Sequence, residues 1–241
     1  MKFKSLFFGL VAALVVTAAQ LAEQVHAKAQ FNLDQMDEID RGVPQDDAEA
    51  ARWYRKAAEQ GDAAAQTSLG RIYFLGLGVL QDDAQAVHWW RRAAEQDYDD
   101  AQFNLGAMYE SGRGVPQDEA EAVEWYRMAA EQGDTKAQNN LGGMYKKGQG
   151  VLQDNAKAVK WYRKAAEQGV ADAQNNLGII NAKGQGVPPD NVLAYMWFNL
   201  AAALNNEAAR KNRDISAKRM TSDQIFEAQR MAREWMAMHQ R

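Results

Sequence analysis

Residues 136–168, KAQNNLGGMYKKGQGVLQDNAKAVKWYRKAAEQ, carry their apolar positions at helical spacing. Ala137, Leu141 and Tyr145 lie four apart and form one stripe of a helix, with polar residues on the other sides. Ala158, Trp161 and Ala165 form a second stripe at intervals of three and four. Between the two lies Gly148-Gln149-Gly150, where glycine permits the positive φ that a tight link between helices needs. Asp154 stands at the N-cap of the second helix, its carboxylate placed to accept from free backbone amides. Gly169 supplies the left-handed stop at the other end. The pattern then returns. Gly42, Gly78, Gly114, Gly150 and Gly186 stand at intervals of 36 residues, and Trp53, Trp89, Trp125, Trp161 and Trp197 follow eleven places later. A fixed period of this length predicts a solenoid of repeated helix pairs.

The other repeated positions agree with this reading. Asp46, Asp82, Asp118 and Asp190 recur at the N-cap, and Glu49, Gln85 and Glu121 follow three places on, as in a capping box. Gly61 and Gly133 recur at the helix stop, where Asp97 and Asn205 stand in two other copies. Ala57, Ala58, Gly70, Gly106 and Gly142 are small residues placed for close helix contact. The tryptophans and the ring after each (Tyr54, Trp90, Tyr126, Tyr162, Phe198) are expected to fill the space between units. A single pair cannot bury such a stripe, so stacking is obligatory. The prediction is an all-α solenoid of about twelve helices: five pairs and a two-helix C-terminal cap. Gly-x-Gly here is a turn and not a phosphate loop, since it lacks the third glycine and follows a helix.

Three segments are expected: 1–27 as a signal peptide, 28–206 as the solenoid, and 207–241 as the helical cap. The basic start Met1 to Lys4, the apolar run Leu6 to Ala19 and the end Val25-His26-Ala27 have the three-part layout of a secretory signal. Ala19 is the second candidate cut. Residues 29–46 align with 101–118 without a gap, but Asp34, Asp37 and Asp40 replace a glycine, a tyrosine and a loop glycine, as suits a solenoid end facing water. Asn181 stands where Tyr73, Tyr109 and Tyr145 stand. In the tail, Ile215, Met220, Ile225, Met231 and Trp235 are placed to form an apolar side, and Thr221 with Gln224 makes a capping box. Met220, Met231, Met236 and Met238 offer an adaptable docking surface as the other reading of this tail.

Composition removes several classes of function. The chain has no cysteine, which excludes disulfides, thiolate metal sites and a Cys nucleophile. Its net charge is −4, or −5 without residues 1–27, so nothing argues for nucleic acid. His26 leaves with the signal, His88 takes a position held elsewhere by Arg52, Glu124 and Lys160, and His239 is near the end. Glu59, Glu95, Glu131 and Glu167 are copied from unit to unit, as surface groups are. No catalytic, cofactor or metal constellation emerges, and the chain is read as no enzyme.

The pattern Ala-Gln-x-x-Leu-Gly-x-x-Tyr-x-x-Gly-x-Gly-Val-x-x-Asp…Ala-x-x-Trp-Tyr-x-x-Ala-Ala-x-x-Gly resembles the Sel-one-like repeat family, relatives of the tetratricopeptide repeats, over residues 29–204. The resemblance implies a right-handed α/α superhelix that acts as an adaptor for other proteins, with the first helix of each pair lining a concave face. Residues flanking the core stripe then become the candidate protein-binding surface: Phe31, Arg71, Phe74, Leu75, Phe103, Glu110, Lys136, Asn139, Lys146, Lys147, Asn175 and Lys183. The N-terminal part of that surface is aromatic and apolar, the next part basic. The function read from this is a non-catalytic adaptor of the bacterial envelope, periplasmic or secreted, monomeric, with a protein or peptide partner, no cofactor, no nucleic acid and no membrane contact after cleavage. Two alternatives stand beside it. One is an envelope hydrolase of the β-lactamase-like kind claimed for Cys-rich relatives, whose cysteines and Ser-x-x-Lys this chain lacks. The other is a secreted effector that engages a host protein. N-terminal sequencing of the exported protein is expected to begin at Lys28; an uncut chain in the inner membrane would overturn the signal reading.

Overall fold

The structure, a computed structural model, describes residues 47–239. The expected signal segment, the first solenoid helix, Phe31 and Asp46 lie outside them. All regular structure among the described residues is helical. The chain divides into two compact units, one ending at Gln117 and the other beginning at Asp118.

The first unit contains α1 (Asp47–Glu59), α2 (Ala63–Leu75), α3 (Asp83–Ala94) and α4 (Asp99–Ser111), each packed on the next. The second contains α5 (Glu119–Gln132), α6 (Thr135–Lys147), α7 (Asn155–Glu167), α8 (Ala171–Lys183), α9 (Asn191–Ala203), α10 (Glu207–Ala217) and α11 (Ser222–His239). Here α5 to α9 also pack in sequence, and α10 and α11 both lie on α9. This is an all-α solenoid arrangement of helix pairs.

Local chemistry sets the ends of the helices. Asp82, Asp118, Asp154 and Asp190 each accept from a backbone amide of the following turn, at 2.9–3.0 Å. Asp62, Asp134 and Asn206 do the same for α2, α6 and α10. Gly61, Gly133 and Gly169 have positive φ at the stops, and so do Asp97 (φ 62°) and Asn205 (φ 63°). A capping box closes in the tail, where Thr221 N–H donates to Gln224 Oε1 and Gln224 N–H to Thr221 Oγ1; the box expected at Glu49 involves Asp46, outside the described residues. The carboxylates of Glu49 and Glu121 accept from the indole N–H of Trp53 and Trp125, one turn further along the same helix.

Among the rings that follow the repeated tryptophans, Tyr54 packs with Leu69 and Ile72 of the next pair, as expected, whereas three others lie on a glycine of their own pair, which the spacing did not foresee. Trp90 lies on Gly70, Tyr162 on Gly142 and Phe198 on Gly178. A Cβ at Gly70 would sit 2.5 Å from the Trp90 ring, and one at Gly142 2.9 Å from Tyr162. Burial of Tyr162 pushes its hydroxyl pKa up to about 12. The preceding tryptophan reaches the neighbouring pair, as expected: Trp89 joins Tyr54, Ala57, Leu69 and Ile72 in one buried cluster. The loops press back in the same direction. A Cβ at Gly114, Gly150 or Gly186 would overlap the first residues of α3, α5 or α7 respectively, so these glycines are needed for close approach as well as for their φ.

A buried glutamine recurs in each first helix among the described residues. Gln66, Gln102, Gln138 and Gln174 donate through Nε2 to the carbonyls of Ala58, Ala94, Ala130 and Ala166, at 3.0–3.3 Å. Their Oε1 atoms face the end of the second helix of the same pair: Gln96 Nε2 donates to Gln66 (2.8 Å) and Gln168 Nε2 to Gln138 (3.0 Å). Tyrosine hydroxyls are tied as well, with Arg55 donating to Tyr73, Arg91 to Tyr109 and Arg127 to Tyr145. Asn181, in the tyrosine position of the fifth pair, turns inward and donates to the Leu177 carbonyl at 2.8 Å.

The tail seats mainly through alanine. Ala209, Ala228 and Ala232 are fully buried, and Trp235 meets Trp197 edge-on at 6.0 Å. Met220, Ile225 and Met231 are half-buried. Ile215, assigned to the apolar side from its spacing, is 52% exposed, because α10 meets α9 on another of its faces.

Two substitutions test the backbone reading. Asp97→Gly is expected to raise the melting temperature by roughly 1–2 °C, since a non-glycine residue in the left-handed region is strained. Gly178→Ala is expected to destabilise by about 1–3 kcal/mol through overlap with Phe198. Thermal unfolding followed by circular dichroism checks both. An unchanged Gly178→Ala variant would mean that the ring contact is not tight.

Candidate functional site

The first helix of each pair presents the variable residues, and the two units offer different faces. In the first unit, Arg71 and Leu75 are exposed on α2, while Phe74 is half-buried. Phe74 is not an open ring. Trp90 lies 5.6 Å away, tilted, and the Arg113 guanidinium sits over it at 4.2 Å. Arg113 is itself held by a two-point contact with Asp83, at 2.8 and 2.9 Å. On α4, Phe103 and Glu110 are half-buried, and the Glu110 carbonyl accepts from Gln117 Nε2 at 3.0 Å.

In the second unit the face is polar and basic. Asn139, Asn175, Asn176 and Asn212 form cross-helix pairs: Asn176 Nδ2 donates to Asn139 Oδ1 at 3.4 Å, and Asn212 Nδ2 to Asn175 Oδ1 at 2.9 Å. These bonds stitch α6, α8 and α10 along one side. At the C-terminal ends of α6 and α8 the fold brings Lys146, Lys147 and Lys183 together. The Lys146 ammonium is pushed below its ordinary pKa by burial first, then by the charges of Lys183 and Lys147. None of the three pairs with a carboxylate among the described residues. Three cations held together without a counter-charge leave this end of the helices strongly positive. Lys136 is exposed at the start of α6, apart from this group.

The structure therefore brings together Lys146, Lys147 and Lys183 on one side, and pairs Asn139 with Asn176 on α8 and Asn175 with Asn212 on α10. The sequence reading missed Arg113 as the cover of Phe74, because the arginine belongs to the loop after α4 and not to a flanking helix position. It also missed the buried glutamines, although the repeated Ala-Gln dipeptide was visible. His88 is exposed, beside the edge of Trp89. Glu59, Glu95, Glu131 and Glu167 are exposed as expected. Among the described residues, no three His, Asp or Glu side chains converge as a metal site, and no helix is long and apolar enough to cross a membrane.

Comparison with known proteins gives the class. The Sel1 repeat matches residues 27–62, 63–98, 99–134, 135–170 and 171–206, and the chain belongs to the Sel1 repeat family. It is similar to a Sel1 repeat protein from Oxalobacter formigenes, with 38% identity, coverage of 78% of this chain and 77% of that one, and a TM-score of 0.69. It is also similar to c5321, a protective antigen of uropathogenic Escherichia coli strains displaying an SLR fold, with 30% identity over 86% of this chain and 60% of that one and a TM-score of 0.50. The immunity protein Pa5087 from Pseudomonas aeruginosa shares the fold alone, at 18% identity over 89% and 81% of the two chains and a TM-score of 0.50. A search of curated proteins found no significant match. Sel1 repeat proteins are generally protein–protein interaction scaffolds and typically non-catalytic.

The lysine group yields a titration test. A lysine with a depressed folded pKa opposes folding while it is charged, so stability rises with pH in the window just below 10.5. Lys183→Met is expected to move the Lys146 pKa back up, and Lys146→Met to stabilise the fold at pH 7. Side-chain NMR titration and thermal melts check these; an unmoved Lys146 would mean the ammonium groups do not interact.

Proposed function

We propose that the chain is an exported, non-catalytic adaptor of the bacterial envelope, and that its second unit holds an acidic, extended segment of another protein along α6 and α8. The observation that carries this reading is the unpaired group Lys146, Lys147 and Lys183. An anionic partner relieves the mutual repulsion of the three ammonium groups, whereas a neutral one leaves it in place. The Asn139, Asn175, Asn176 and Asn212 side chains provide donors and acceptors for an extended backbone beside the charges. The envelope location rests on the leader-like residues 1–27. In the first unit, Arg71 and Leu75 add an exposed contact, and Phe74 acts through its Arg113 cover.

The test uses a fluorescent ten-residue Asp/Glu-rich peptide and its Lys-rich counterpart. The acidic peptide is expected to bind, and to lose affinity as salt rises from 50 to 300 mM, a rough span over which screening shortens appreciably. The triple substitution Lys146→Glu, Lys147→Glu, Lys183→Glu is expected to abolish that binding while leaving helicity unchanged, because charges at a rim act chiefly on encounter. Equal binding of the basic peptide, or full binding by the triple variant, would sink the reading.

A further inference from the structure

The repeating glutamine pairs stop short at the fifth pair. Gln60, Gln96, Gln132 and Gln168 recur at intervals of 36, and the next position in that series is Leu204. Where the side-chain amide of Gln168 reaches Gln138 Oε1, Leu204 has nothing to donate and is 50% exposed. Gln174, the partner left behind, is 1% exposed; its Nε2 still donates to the Ala166 carbonyl, but its Oε1 is buried with no hydrogen-bond partner. Such an orphaned acceptor is destabilising, by the desolvation it suffers without compensation.

Gln174 and Leu204 line a cavity of about 280 Å³ between the end of the last pair and α11. Leu200, Trp235 and Met236 make its apolar walls, and His239, stacked on Trp235 at 4.0 Å, stands beside them. Sites for whole drug-sized ligands start at about 300 Å³, so this one has room for a single large side chain and its amide.

We propose that this cavity is a second binding site, which takes a polypeptide segment presenting an amide N–H beside a leucine- or phenylalanine-sized side chain. The N–H supplies to Gln174 Oε1 what the repeat's own glutamine supplies in the preceding pair. The apolar side chain fills the volume against Leu200, Trp235 and Met236, where a flexible methionine adapts to its shape. A buried anchor of this kind concentrates binding energy at one residue. The site depends on neither the lysines nor the leader.

The experiment titrates the whole protein with N-acetyl-leucinamide and with its analogue in which every N–H is methylated. Two NMR signals are followed: the Gln174 side-chain amide and the Trp235 indole N–H. The unmethylated probe is expected to shift both signals and to bind roughly fivefold more tightly than the analogue, as one added hydrogen bond allows. The decisive variant is Leu204→Gln, which restores the glutamine of the series. It is expected to remain folded, to melt higher, and to lose the preference for the unmethylated probe. Equal binding of the two probes overturns the proposal, as does a Leu204→Gln variant that melts higher yet binds as before. Finding only an ordered water on Gln174, with Trp235 unmoved at saturating probe, also overturns it. The triple lysine variant is expected to bind the probe normally, so failure here and failure of the acidic-segment reading are told apart.

Discussion

The close approach of an aromatic ring to a bare backbone position is the contact on which the α2–α3, α6–α7 and α8–α9 pairs depend. Trp90 on Gly70, Tyr162 on Gly142 and Phe198 on Gly178 leave no room for a Cβ. The ring buries most of its surface against the partner helix at once, and the distance between the two axes is set by its thickness. With that distance fixed, the preceding tryptophan falls toward the adjacent pair, as Trp89 does. The glutamine and arginine–tyrosine bonds then find their reach. Each of those polar bonds is worth little alone, but the glutamine bonds are buried or half-buried, and a misplaced pair would leave several unsatisfied together.

The scaffold satisfies its interior, and this separates it from the surfaces that carry function. In the first unit Arg113 is neutralised by Asp83 and fixed over Phe74. Lysine at the ends of α6 and α8 is left without a counter-charge. The buried glutamines are paired until the series reaches Leu204. Departures from the repeat, rather than the repeat itself, therefore mark where a partner's chemistry is invited: cations lacking anions in one place, an acceptor lacking a donor in another.

Turn and cap chemistry was legible because it is local. Asp97 and Asn205 could be placed at left-handed stops from their position opposite Gly61, Gly133 and Gly169, and the structure gives both positive φ. The partner of the second ring was not legible. A period of 36 residues fixes which residues are equivalent, yet it does not say whether Trp90 meets its own pair or the adjacent one. For the candidate surface, spacing placed Lys146, Lys147 and Lys183 beside the core stripe, and the structure brings their charges within reach of one another. It could not reveal that Arg113 covers Phe74, since that contact comes from a loop. Nor could it reveal the unmet Gln174, which requires knowing both its usual partner and what replaced it.

The loop glycines have a consequence for synthesis. Gly114 closes over the start of α3 and Gly150 over the start of α5, so the second helix of a pair is completed by a turn belonging to the following repeat. A chain emerging from the ribosome N-terminus first therefore carries, at every moment, one helix whose leading end still lacks its cover. The cooperative unit of growth is shifted by about half a repeat from the unit of sequence, running from one tryptophan-bearing helix to the end of the next Gly-x-Gly turn. Stalling just before such a turn leaves an unfinished edge, and stalling just after it leaves a closed one.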